Sequence, residues 1–172
     1  MFLNILKNFL IKNKISQFLS NTPDNHSDGI IKSVGVIFDG NIDLEIEKVI
    51  NELAIKGIDK NQIKVLIFKN KMNKNEVIHH ELITYKEFKW SGELTHSKAE
   101  SFLNTNFDLL INYHEFDRPP LVYLSYYSKA YFKVGFKTND KIINKFMVNT
   151  SIYNYQLFVD ELLKYLKILN KI

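Results

Sequence analysis

"FDLLINYHEFDRPPLVYLSYYSKAYFKVGF", residues 107–136, decides the architecture of this chain. It opens with an apolar run from Phe107 to Ile111, broken only by Asp108. It turns polar at Asn112 and reaches two consecutive prolines, Pro119 and Pro120. Proline suits the first turn of a helix, where its missing N–H costs nothing. "PPLVYLSYYS" is therefore predicted as a helix, and "AYFKVGF" as the strand after it. A strand, a helix and a second strand make one crossover unit, the device that joins parallel strands.

The same rhythm extends in both directions. "IIKSVGVIF", residues 30–38, and "QIKVLIF", residues 62–68, are predicted strands. Between them a helix starts at Asp43, buries Ile46, Val49, Ile50 and Leu53, and stops at Gly57. "EVIHHELITYKEFKW", residues 76–90, predicts one or two short strands. "SKAESFLN", residues 97–104, is a short helix with Ala99, Phe102 and Leu103 on one side. "INKFMVNT", residues 143–150, is the last strand. From Ser151 apolar residues recur at three and four, from Ile152 through Phe158, Leu162 and Leu166 to Leu169, as in an amphipathic helix.

The runs "VGVIF", "KVLIF" and "DLLI" have no polar face. Strands buried on both faces of a parallel sheet look like this. The expected fold is α/β: a three-layer α/β/α sandwich with a mainly parallel, Rossmann-like sheet of about 5–6 strands. An N-terminal helical extension covers residues 1–20, a linker covers 21–29, and a single α/β domain covers 30–172. In the extension, Phe2, Ile5, Leu6 and Phe9 form one stripe, with Asn4, Lys7 and Asn8 opposite. After Leu10 the stripe moves to Ile11, Ile15 and Phe18. That predicts a helix buried on two sides or bent near residue 11.

Composition narrows the chemistry. The chain has 172 residues, 45% of them hydrophobic and 24% charged, as in an ordinary globular domain. It has no cysteine, which removes disulfides, thiolate ligands and cysteine nucleophiles. The net charge is +4, carried almost wholly by lysine; Arg118 is the only arginine. Sequence-specific nucleic-acid binding draws on arginine forks, so it is not expected. No stretch approaches the ~20 apolar residues of a membrane span. The first twenty residues are not a good signal peptide, since Lys7 interrupts the apolar run. The expected location is cytoplasmic, or peripheral to a membrane through the N-terminal helix.

In open α/β sheets ligands sit beyond the carboxyl ends of the strands. That rule selects Asp39, Asn112, His114 and Arg118 as ligand-binding candidates. No triple-glycine or GxxxxGK[ST] phosphate loop comes after the first strand, so no nucleotide cofactor is expected. Pro119 and Pro120 remove N–H donors an anion would use, and Asp117 is the expected N-cap of the helix they start. His114 beside Glu115 could serve as a base, but neighbours on one strand point apart. His79 and His80 oppose each other for the same reason, so with His96 and Glu81 they define no metal site. The tyrosines around Tyr123 and Tyr127 read as core and its rim. No catalytic residue and no metal ligand is assigned.

Several runs together resemble a domain-of-unknown-function family of small α/β proteins from flavobacteria and their relatives. They are "VGVIFD", "FDLLINYHE", "PPLVYLS", "SKAYFKVGF", "INKFMVNT" and "ELLKYLKILNKI". The resemblance covers nearly the whole chain and implies the fold, with no activity or site residues attached. "FDLLIN" through "SKAYFKVGF" is also similar to part of the N-terminal domain of heptosyltransferase-like glycosyltransferases. The leading expectation is a non-catalytic cytoplasmic binding or scaffold protein, acting through protein partners or self-association. One alternative is a small-ligand enzyme or sensor, a glycosyltransferase-like remnant using the strand-end crevice. A further alternative is a peripheral membrane protein held by residues 1–19.

Overall fold

A computed structural model describes residues 2–18, 29–72, 79–137 and 143–172. The predicted linker lies almost wholly outside the described residues, as does the start of the 76–90 segment. The elements in chain order are α1 (Phe2–Phe18), β1 (Val34–Asp39), α2 (Ile46–Ile55), β2 (Ile63–Phe68), β3 (Glu81–Ile83), α3 (Ser97–Asn104), β4 (Phe107–Tyr113), α4 (Pro119–Tyr127), β5 (Ala130–Phe136), β6 (Phe146–Val148) and α5 (Tyr155–Ile168). Six strands form one sheet in the order β3-β2-β1-β4-β5-β6. All five pairings are parallel. The chain winds outward from β1 in one direction and from β4 in the other. The switch point therefore lies between those two strands, where ligands of such folds bind.

Every residue of β1 is buried, and β4 is buried except at Asp108. Each side chain of Val, Leu, Ile or Phe size taken out of water contributes roughly 1.5–3 kcal/mol. Strands with no polar face must therefore be covered on both sides. Val34, Val36 and Phe38 pack with Leu109, Ile111 and Tyr113 under α2 and α5. Ile37 and Leu110 point the other way, towards α3, α4 and α1. The alternation assigns every strand-end side chain to one face or the other.

Helix α4 is apolar nearly all round because it has two neighbours, the sheet beneath it and α1 above it. Its last carbonyls, those of Ser125 and Tyr126, accept from Lys133 Nζ at 2.6 and 3.3 Å. Burial pushes the Lys133 ammonium pKa down to about 8.

Helix α1 docks with its polar side inward. Lys7 Nζ donates to the carbonyls of Tyr85 and Phe88 at 2.6 and 2.7 Å. The Tyr85 hydroxyl donates to Asn8 Oδ1 at 2.8 Å, and Ile11 and Ile15 are buried beside these contacts. Gly92 has φ +80, and a Cβ there would lie 2.8 Å from the Leu10 carbonyl oxygen, so only glycine lets the helix come this close. The stripe that enters the core is thus Ile11 and Ile15, while Leu3, Ile5, Leu6 and Phe9 remain exposed. Among the described residues no helix is long and apolar enough to cross a membrane.

Several predicted boundaries move; β6 begins at Phe146 rather than Ile143, and α5 at Tyr155 rather than Ser151. The first strand begins at Val34 rather than Ile30. Helix α2 begins at Ile46 rather than Asp43. Ile42, Leu44 and Ile46 pack at alternate positions against the core, through a turn in which the Leu44 N–H donates to the Ile42 carbonyl at 2.9 Å, and that burial outweighs an aspartate cap. Within residues 76–90 the described part holds a single short strand, β3, and then a turn at Tyr85–Glu87 closed by a Thr84–Glu87 capping box.

Candidate functional site at the carboxyl edge of the sheet

Strands β1 and β4 pair in register to Phe38 and Tyr113. One step further come Asp39 and His114. By alternation both point to the α4 face, as does Asn112 two residues earlier. The structure brings Asp39 and Arg118 into contact: Arg118 Nε lies 2.9 Å from Asp39 Oδ2. The pair meets at an angle too poor for a linear hydrogen bond. The other carboxylate oxygen, Oδ1, accepts from the backbone N–H of Asn41 at 3.0 Å and from its side-chain amide at 2.6 Å. Asn41 Oδ1 in turn accepts from the Asn70 N–H at 2.8 Å. A polar relay from Arg118 through Asp39 and Asn41 to Asn70 therefore ties together the loops that leave β4, β1 and β2.

His114 is buried, at 2% exposure. Burial pushes its pKa down to about 4, against the opposing pull of Asp39 and of the Phe116 carbonyl. The ring is neutral at pH 7, and neither nitrogen has an aligned hydrogen-bond partner among the described residues. A buried unpaired donor or acceptor costs roughly 1–3 kcal/mol, so His114 is a load on the fold. Asn112 is turned away from the other three. Its amide nitrogen donates to Asn144 Oδ1 at 2.7 Å. Glu115 also leaves the group, accepting from the Ile152 N–H at 2.8 Å.

The predicted Asp117 cap is corrected. The N-cap of α4 is Arg118, which makes no side-chain capping bond. Pro119 and Pro120 occupy the first two helical positions, so those positions have no N–H to cap. The Arg118 side chain is thereby free to reach across to Asp39.

Open space lies on the other face. A cleft of about 530 Å³ runs along the loop after β1, the first turn of α2, Ile67 and Lys69 at the end of β2, and His79 and His80. Its floor is apolar, from Ile42, Leu44, Ile46 and Ile67, and its rim carries Asp43, Glu45 and Glu47. Glu47 Oε1 is 2.7 Å from His80 Nε2, and Glu45 pairs with Lys48 at 2.7 Å. Asp39 is the one sequence-predicted residue that lines both regions. Sequence reasoning missed Asp43, Glu45 and Glu47 because it began the helix at Asp43, whereas Asp43 and Glu45 precede α2 and Glu47 sits in its first turn. The signal was present: four carboxylates within nine residues of a strand end, counting Asp39.

Among the described residues, His80 and His96 are engaged locally. His96 Nδ1 accepts from the Ala99 N–H at 3.2 Å as the N-cap of α3, and Glu81 pairs with Lys98 at 2.8 Å. Among the described residues no three His, Asp or Glu side chains converge as metal ligands.

No curated protein and no solved structure matches this chain. One family model does, over residues 7–169, which covers α1 from Lys7 onward, the whole sheet, and α5. The chain belongs to DUF6913, a family of unknown function.

Proposed function

We propose that the protein binds a small organic cation without transforming it, in the cleft on the α2 side of the strand edge. The observation that carries this reading is the lining of the cleft, where an apolar floor is rimmed by the carboxylates of Asp43, Glu45 and Glu47. Such a lining attracts an amine with an apolar body and repels phosphates. A small molecule or the lysine of a protein partner meets the same chemistry. The non-catalytic character comes from position. Asp39 and His114, the groups best placed for proton transfer at the switch point, are buried, and the Asp39 carboxylate is engaged by Arg118 and Asn41. A cytoplasmic setting belongs to the same reading and agrees with a chain lacking cysteine.

The test is a thermal-shift screen with three compound sets: amines and polyamines, neutral sugars, and anionic nucleotides and nucleotide sugars. Amines are expected to raise the melting temperature, and Asp43→Asn/Glu47→Gln is expected to abolish the shift while Arg118→Ala leaves it intact. A shift confined to nucleotides or nucleotide sugars would overturn the proposal and favour a glycosyltransferase-like remnant. Retention of the amine shift by the double variant would overturn it as well.

A further inference from the structure

We infer that the outward face of α1 is a docking surface for an anionic membrane. In this helix Leu3, Ile5, Leu6 and Phe9 are 58%, 61%, 40% and 59% exposed. This is not the fraying of a loose end, because the opposite side is fixed. Lys7 and Asn8 are spent on the 85–88 turn, and Ile11 and Ile15 are buried. A helix that turns lysine and asparagine inward and leucine and phenylalanine outward is inside out for a water-facing element. Its apolar face calls for a cover.

Charge and area select the cover. Helix α1 contains Lys7, Lys12 and Lys14 and no acidic residue. Lys12, Lys86 and Lys89 are exposed. The nearby glutamates are engaged, Glu93 with Lys14 at 3.0 Å and Glu87 in the Thr84 capping box. Trp90, 55% exposed, sits beside Lys7 with the ammonium 5.4 Å from its ring, and tryptophan favours the bilayer interface. A second copy of the chain would set lysine-bearing helices against each other. A stable protein interface also uses roughly 20–30 residues a side, far more than two helical turns present. A shallow, basic-flanked apolar patch is what an interfacial helix lays into anionic lipid.

The experiment is co-sedimentation of the full chain with phosphatidylcholine vesicles, with and without phosphatidylglycerol. Binding on the order of tenfold stronger to the anionic vesicles is expected, weakening with salt. Leu6→Glu/Phe9→Glu is expected to abolish it, and Lys12→Glu to weaken it, with melting temperatures unchanged because these side chains are exposed. No sedimentation of the wild type, equal partitioning of wild type and double variant, or equal binding to neutral vesicles would overturn the inference. So would a dimer in light scattering that the double variant dissolves, which would assign the face to a second copy.

Discussion

On the α4 side of the sheet edge, β1 ends in Asp39 and His114 comes directly after β4; both are buried, and Asp39 is held by the chain's own Arg118 and Asn41. On the α2 side, a step away along the same edge, the loop after β1, the first turn of α2 and the end of β2 line a cleft of about 530 Å³. The difference originates in the segment that leaves each strand. After β4, two prolines start the helix early and hold Arg118 over the strand ends. After β1, alternate burial of Ile42, Leu44 and Ile46 in a turn delays α2. The closed side holds buried ionisable groups, and the open side holds space with Asp43, Glu45 and Glu47 along its lining. Rules that locate a binding site at a strand edge leave open which face of that edge is accessible.

The contrast can be broken most severely at Asp39. Asp39→Ala removes the centre of the relay, freeing the Asn41 loop and leaving Arg118 without its carboxylate. Splitting a fully buried pair costs 3–5 kcal/mol, and the partial exposure of Arg118 places this loss near the lower end, about 3 kcal/mol. Urea denaturation at pH 7 measures it; a loss under about 1 kcal/mol would mean that the relay is ornamental.

His114 tests the sealing itself. Its folded pKa of about 4 lies below the ordinary value of 6.5. The unfolded chain therefore takes up the proton first as pH falls. The contribution is intact above pH 6.5 and is lost between there and pH 4. Between pH 7 and pH 5 the wild type is expected to lose about 2 kcal/mol more than His114→Gln. Parallel pH profiles for the two proteins would show that water reaches the ring.

The smallest effect belongs to the open side. Glu47 and His80 form an exposed pair, so Glu47→Gln or His80→Gln is expected to change stability by less than about 0.5 kcal/mol. A larger loss in calorimetry would show that the cleft wall is structural and would weaken the case for a ligand there.

Much of the fold was legible along the chain. Strand β5 and helix α3 fall where their apolar runs and breakers predict, and β2, β4 and α4 each differ by one residue. Period and punctuation are local properties, and buried parallel strands advertise themselves by lacking a polar face. The site was half legible. Strand-end logic found Asp39, His114 and Arg118, and Arg118 reaches Asp39 across 79 residues of sequence. It found neither the carboxylate rim of the cleft nor the inverted docking of α1. Both depend on competition between burial of apolar residues and local capping or amphipathic pattern.

By itself the sequence determined the class of fold, the parallel sheet, the absence of thiol chemistry and the residues at the strand ends, since each of these comes from nearest-neighbour pattern or from composition. Only the tertiary structure decided which face of the edge is open, which way α1 faces and which histidine is buried. Those outcomes depend on which distant surface reaches a side chain first, and the 85–92 turn, the loop after β1 and the prolines of α4 settle that in space.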